Sequence, residues 1–173
     1  MKIRNIALCG MSAALMALCG WISVPVFDIA FTMQSFAVFF ALFALGGKYG
    51  CAAILVYLCL GAAGLPVFSG FQGGLGALLG VTGGFLWGFL LCGLSYWLLS
   101  SVFGKKWDLL WASVSMVLCY GCGCIWYSAA FAGATNSGLG AVILKCVVPY
   151  LLPDALKILL SWQLSRRLMR YIK

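Results

Sequence analysis

From Tyr49 to Gly104 the chain runs without a single charged side chain. A water-soluble domain of this size leaves much of its surface exposed, and about a quarter of its residues are charged. Here 65% of the residues are hydrophobic and 8% charged across the 173. So much apolar surface can be hidden only by lipid, and the chain reads as an integral membrane protein. A spanning helix takes about 20 apolar residues. The sequence offers six such runs, near 5–24, 30–46, 49–65, 78–103, 109–131 and a last one ending near 168. Turn signals separate them: Pro25 with Asp28, Gly46-Gly47-Lys48, Gly64-Leu65-Pro66, Gly104-Lys105-Lys106, and Gly133 to Gly138. Interior proline breaks a helix but is welcome at its first position. The last helix is therefore expected to start at Pro153, with 139–150 a short outer or re-entrant segment. The N-terminal run resembles a signal peptide but has no small-residue cleavage site, and reads as a retained first helix.

The charges orient these spans. Lys2, Arg4, Lys48, Lys105, Lys106, Arg166, Arg167, Arg170 and Lys173 fall on one side of a six-span arrangement. The loops around 25–29, 66–77 and 132–138, on the other side, carry no lysine or arginine. Cytoplasmic loops collect positive charge, so the expectation is an all-α polytopic protein with six transmembrane helices and cytoplasmic N and C termini. Residues 1–173 would form a single integral-membrane domain in the cell membrane. The same distribution accounts for the net charge of +8 without a nucleic-acid partner.

Function is narrowed by what is missing. There is no histidine and no glutamate, and the only aspartates are Asp28, Asp108 and Asp154. A serine or cysteine nucleophile has no imidazole base, and His-ligated zinc or haem is excluded. No phosphate-binding G-x-x-x-x-G-K-[ST] motif occurs, so the chain has no such site for ATP hydrolysis. Cys119, Cys122 and Cys124 have a metal-like spacing, but they sit inside an apolar span, where cysteine serves as a small hydrophobe. The chain is read as a non-enzyme with no metal and no cofactor.

Two features remain. Asp154 and Lys157 lie three residues apart on one face of the last helix, in its outer half. Ionisable groups at that depth face a cavity or each other, so the pair is either a binding site or a self-neutralising structural contact. Phe71 to Gly88 packs seven glycines into eighteen residues. Gly80, Gly84 and Gly88 recur at the spacing that lets membrane helices touch. The preceding loop, with Phe68, Phe71 and Gln72, lies on the same side as Asp154 and reads as a lid over a pocket.

The stretches "FTMQSFAVFFALFALGGKYG", "YLCLGAAGLPVFSGFQGGLGALLGVTGGFLWGF" and "VPYLLPDALK" resemble the BioY family, the biotin-binding S components of energy-coupling factor (ECF) transporters. The resemblance implies a membrane subunit that captures biotin outside and delivers it inward. Its partners would be an ECF transmembrane coupling subunit and two ATPase subunits, which alone would use ATP. It places Asp154, Lys157, Gln34 and Gln72 as polar ligand contacts, with Thr82 in the glycine-rich segment. Phe68, Phe71 and Trp87 would be aromatic walls. Ala13 and Ala17, an A-x-x-x-A pair in the first span, would dock on the coupling subunit. An S component for another small vitamin, or a structural membrane subunit without transport, are the alternatives.

Overall fold

The computed structural model describes residues 3–26, 29–135 and 139–172. Lys2, Asp28, residues 136–138 and Lys173, which entered the expectations about turns and charge, lie outside them. The elements in chain order are α1 (Ile3–Trp21), β1 (Ser23–Val26), β2 (Ile29–Thr32), α2 (Gln34–Leu45), α3 (Gly47–Ala62), α4 (Leu75–Leu79), α5 (Gly83–Phe103), α6 (Asp108–Thr135), α7 (Leu139–Cys146) and α8 (Val148–Ile172). The chain is a membrane-type helical bundle. α1, α5 and the segment Lys105–Ala130 are long and apolar enough to cross a bilayer, and α2 and α3 are shorter apolar helices.

Helix α6 packs along α5, α2 along α8, and α1 lies against both α2 and α3. The α5–α6 contact rests on the glycine repeat. A Cβ on Gly84 would overlap the Trp126 side chain, and one on Gly88 would lie 2.8 Å from the Cys119 Sγ. Gly80 plays a different part: its carbonyl accepts the Trp126 indole N–H at 3.1 Å.

Three departures from the sequence reading sit at one end of the bundle. The second span does not begin at 30. Val24, Val26, Ile29 and Phe31 have the β-branched or aromatic character of strands, and they form an antiparallel ribbon pairing Ser23 with Thr32 and Val26 with Ile29. Pro25 is tolerated because a two-stranded ribbon consists only of edges. Helix α8 starts at Val148 rather than Pro153. Pro149 falls in its first turn, where an N–H would have no partner anyway, while Pro153 is interior and forgoes one helical bond. The fourth span begins at Gly83, with residues 64–82 forming a loop, a 3-10 turn at Ser69–Phe71 and the short α4. At 1.5 Å per residue α2 is about 18 Å long and α3 about 24 Å, against a hydrocarbon core of about 30 Å. Ribbon and loop make up the remaining thickness where backbone lines a cavity, the setting in which irregular structure is tolerated at membrane depth.

Candidate functional site

Helix α8 enters the bundle with Asp154 and Lys157 one turn apart on its inner face, 6% and 5% exposed. Lys157 Nζ lies 2.8 Å from Asp154 Oδ1. It also donates to the Thr32 carbonyl at 2.6 Å and the Ser35 hydroxyl at 3.3 Å, and sits 3.8 Å from the centroid of the Phe31 ring. Every N–H of the ammonium is thereby used. The Ser35 hydroxyl donates to Asp154 Oδ1 at 2.8 Å and the Tyr120 hydroxyl to Oδ2 at 2.5 Å. An ionised carboxylate offers roughly four acceptor positions, so Asp154 retains capacity for about one further donor.

This cluster forms one wall of a cleft that opens to solvent. Gln34, Thr82 and Thr32 add polar edges, and Phe85, Phe89 and Tyr150 add aromatic surface. Met116 and Cys119 of α6 line the cavity beside Tyr120. The loop supplies Phe68, Ser69 and Gln72. Phe68 is anchored: its ring meets Tyr57 edge-on at 5.5 Å and fills the space a Cβ on Gly61 would need. Gln34 donates to the Tyr57 hydroxyl, which donates to the Val67 carbonyl at 3.1 Å. The polar floor is thus wired to the loop through a buried tyrosine.

Of the residues singled out in the sequence, Asp154, Lys157, Gln34, Gln72, Phe68 and Thr82 come together around this cavity. Phe71 and Trp87 do not. Phe71 is 63% exposed and stacks on Trp21 at 5.1 Å, with a backbone φ of 57°. Trp21 also donates its indole N–H to the Pro66 carbonyl at 2.8 Å, so the two rings fasten the loop from outside. Trp87 heads the exposed stripe Leu91, Leu94 and Leu98 of α5 and faces the bilayer. Ala13 and Ala17 are turned inward, 2% and 8% exposed, in the face of α1 that packs on α2 and α3. The small residues on the outer face of α1 are instead Ala7, Gly10 and Ala14.

Ser35, Tyr120 and the Thr32 carbonyl went unnoticed in the sequence. Ser35 had a signal, being polar beside Gln34 at the head of an apolar helix. Tyr120 had only its helical spacing from Met116.

The BioY family model matches residues 1–173. The "Probable biotin transporter BioY" of Pyrococcus horikoshii is 33% identical over 168 residues, covering 97% of this chain and 98% of that protein. The "Biotin transporter BioY" of Thermotoga maritima is 46% identical over 89 residues, 51% of this chain and 53% of that protein, so that match spans about half the relative's length. Among solved structures, the "S-component for biotin from an ECF-type ABC transporter" superposes with a TM-score of 0.85 at 23% identity, covering 98% of this chain and 92% of that one. The likeness is one of fold. From first residue to last, this chain belongs to the BioY family.

Proposed function

We propose that the chain is a biotin-binding S component that captures its ligand at the outer membrane face, and that the cavity around Asp154 and Lys157 is the capture site. One observation carries this reading: an ion pair with every lysine N–H used and one aspartate acceptor position left, at the wall of an open and otherwise largely apolar cavity, with no other buried charge among the described residues. Biotin presents an apolar thiophane body, a ureido group with two N–H donors and one carbonyl, and a carboxylate tail. Asp154 accepts a ureido N–H at its remaining acceptor position, and Gln34 and Thr82 offer both donors and acceptors to the rest of the head group. The aromatic walls and Met116 enclose the ring system. The ammonium of Lys157 is already occupied, so the carboxylate belongs at the mouth, near Ser69 and Gln72.

Six spans with both ends in the cytoplasm suit this orientation, since the basic clusters then fall inside. In the assembly, a transmembrane coupling subunit and two ATPase subunits supply the energy. Docking is assigned to the outward face of α1, with Gly10 and Ala14, rather than to Ala13 and Ala17. That face borders an apolar groove of about 1070 Å³ shared with Phe40, Ala44, Leu45 and Leu168.

Biotin titration of the detergent-solubilised protein, read by tryptophan fluorescence and calorimetry, tests the assignment. Saturable binding by the parent, lost in folded Asp154→Asn and Lys157→Ala variants, is the expected result. A folded parent that ignores biotin overturns it, and binding of a different vitamin in the same cavity would reassign the ligand.

A further inference from the structure

About 18 Å along α8 from Asp154, at the opposite end of the bundle, lies a second cavity of about 390 Å³ lined by Phe43, Asp108, Trp162, Ser165 and Arg166. It brings together a carboxylate and a guanidinium that do not neutralise each other. Among the described residues neither forms an ion pair. Asp108 Oδ1 accepts only the Tyr96 hydroxyl, at 3.0 Å. Arg166 Cζ lies over the Trp162 ring, 4.1 Å from its centroid, and its N–H groups form no hydrogen bond or ion pair among the described residues. Asp108 is half-buried and Arg166 exposed, so the cavity opens at the bundle's edge. The level is that of a membrane interface: Trp107 is 56% exposed nearby, Trp111 donates to the Gly104 carbonyl at 3.1 Å, and tryptophans gather where hydrocarbon meets headgroups.

We infer that this cavity holds the headgroup of a phosphatidylethanolamine lipid, its primary ammonium on Asp108 and its phosphate on Arg166. The two charges select this chemistry jointly. An anionic headgroup without an amine satisfies Arg166 and leaves Asp108 facing a like charge. A quaternary ammonium has no N–H to give the carboxylate. Ethanolamine phosphate satisfies both with charge-assisted hydrogen bonds, and the planar guanidinium, backed by Trp162, matches a phosphate edge with two parallel donors. The site is remote from the Asp154 cavity and independent of which ligand that cavity takes.

Native mass spectrometry of the intact protein, in detergent supplemented with dioleoyl lipids, reads the site directly. One phosphatidylethanolamine should be retained about fivefold over phosphatidylcholine or phosphatidylglycerol, the bias of a single partly exposed ion pair. Asp108→Asn, which can still accept the Tyr96 hydroxyl, should bring phosphatidylethanolamine down to the phosphatidylcholine level. Arg166→Gln should lower phosphatidylethanolamine and phosphatidylglycerol together. Thermal unfolding of both variants, expected within a few degrees of the parent, shows that they are folded. Equal retention of the three lipids by the parent overturns the inference and leaves the charges as an internal latch. Preference for phosphatidylglycerol overturns it in favour of a merely basic surface. A phosphatidylethanolamine preference that survives both substitutions places the lipid elsewhere and also overturns it. Glycerophosphoethanolamine, the same headgroup without chains, separates the sources: retention equal to the lipid's assigns a soluble zwitterion and overturns a lipid site, and weak retention supports it.

Discussion

The Asp154–Lys157 pair can be taken apart so that its structural and binding roles give opposite signals. Both groups are buried, so removing one leaves the other without its counter-charge, a loss of about 3–5 kcal/mol for a buried pair. The two halves are not equivalent. Without Lys157, Asp154 keeps the O–H donors of Ser35 and Tyr120, placing Lys157→Met near the lower figure. Without Asp154, Lys157 keeps the Thr32 carbonyl, the Ser35 oxygen and the Phe31 ring, none carrying a full negative charge, placing Asp154→Leu near the upper one. For a chain of this size each kcal/mol moves Tm by about 2–4 °C, so the single variants should melt about 6–20 °C below the parent. The double variant Asp154→Leu/Lys157→Met buries no charge and should recover most of that loss, ending within about 2 kcal/mol of the parent because only the neutral hydroxyls of Ser35 and Tyr120 are left without their partner. Its biotin affinity should nonetheless fall about 10- to 150-fold, since the one hydrogen bond assigned to the charged carboxylate contributes about 1.5–3 kcal/mol. Thermal unfolding and biotin titration on the same four samples decide the matter. A recovered double variant that binds like the parent would make the pair purely structural, and single variants as stable as the double would refute the electrostatic reasoning.

Tyr120→Phe removes the Asp154 Oδ2 donor and should destabilise by about 1–3 kcal/mol. Saturating biotin should narrow that deficit because a ureido N–H can occupy the vacated lone pair, and a deficit equal with and without ligand would count against the assigned pose. Trp21→Ala loses both the Phe71 stack and the bond to Pro66, so biotin dissociation in stopped-flow should quicken about tenfold, from about 1.4 kcal/mol of lost fastening; an unchanged rate would detach this latch from gating. Gly88→Val forces a Cβ to 2.8 Å from the Cys119 Sγ and 3.0 Å from its carbonyl, and should cost at least about 1–3 kcal/mol. Gly121→Val, with nothing within 4 Å of its Cβ, should melt within about 2 °C of the parent, and equal losses for the two would dismiss close α5–α6 contact as the reason for the glycine.

What the sequence made legible follows from how much free energy each choice carries. Long charge-free runs admit little besides membrane helices, and an aspartate with a lysine inside such a run is too costly to be incidental, so the helices and the buried Asp154–Lys157 pair could be read directly. The β1–β2 ribbon could not, because Ile29 to Thr32 is apolar under either a helical or a strand reading and only Pro25 argues against continuity. The inward placement of Ala13 and Ala17 was hidden for a related reason. Gly10 and Ala14 have the same spacing on another face of α1, and packing on α2 and α3 decides which face is covered. Trp87 was assigned by chemical type, although its period with Leu91, Leu94 and Leu98 pointed to the bilayer. Ser35 and Tyr120 are uncharged and cheap to place in a membrane helix, so neither announces itself, yet they make a buried aspartate tolerable beside an open cavity. The arrangement has a consequence for capture. With Lys157 matched by Asp154, the cavity offers polar groups without net charge, and a ligand's head can exchange water for these fixed dipoles without leaving a bare ion in the membrane. In the proposed pose its carboxylate, with no free cation among the described lining residues, would stay nearest solvent at Ser69 and Gln72, leaving the neutral ring inward.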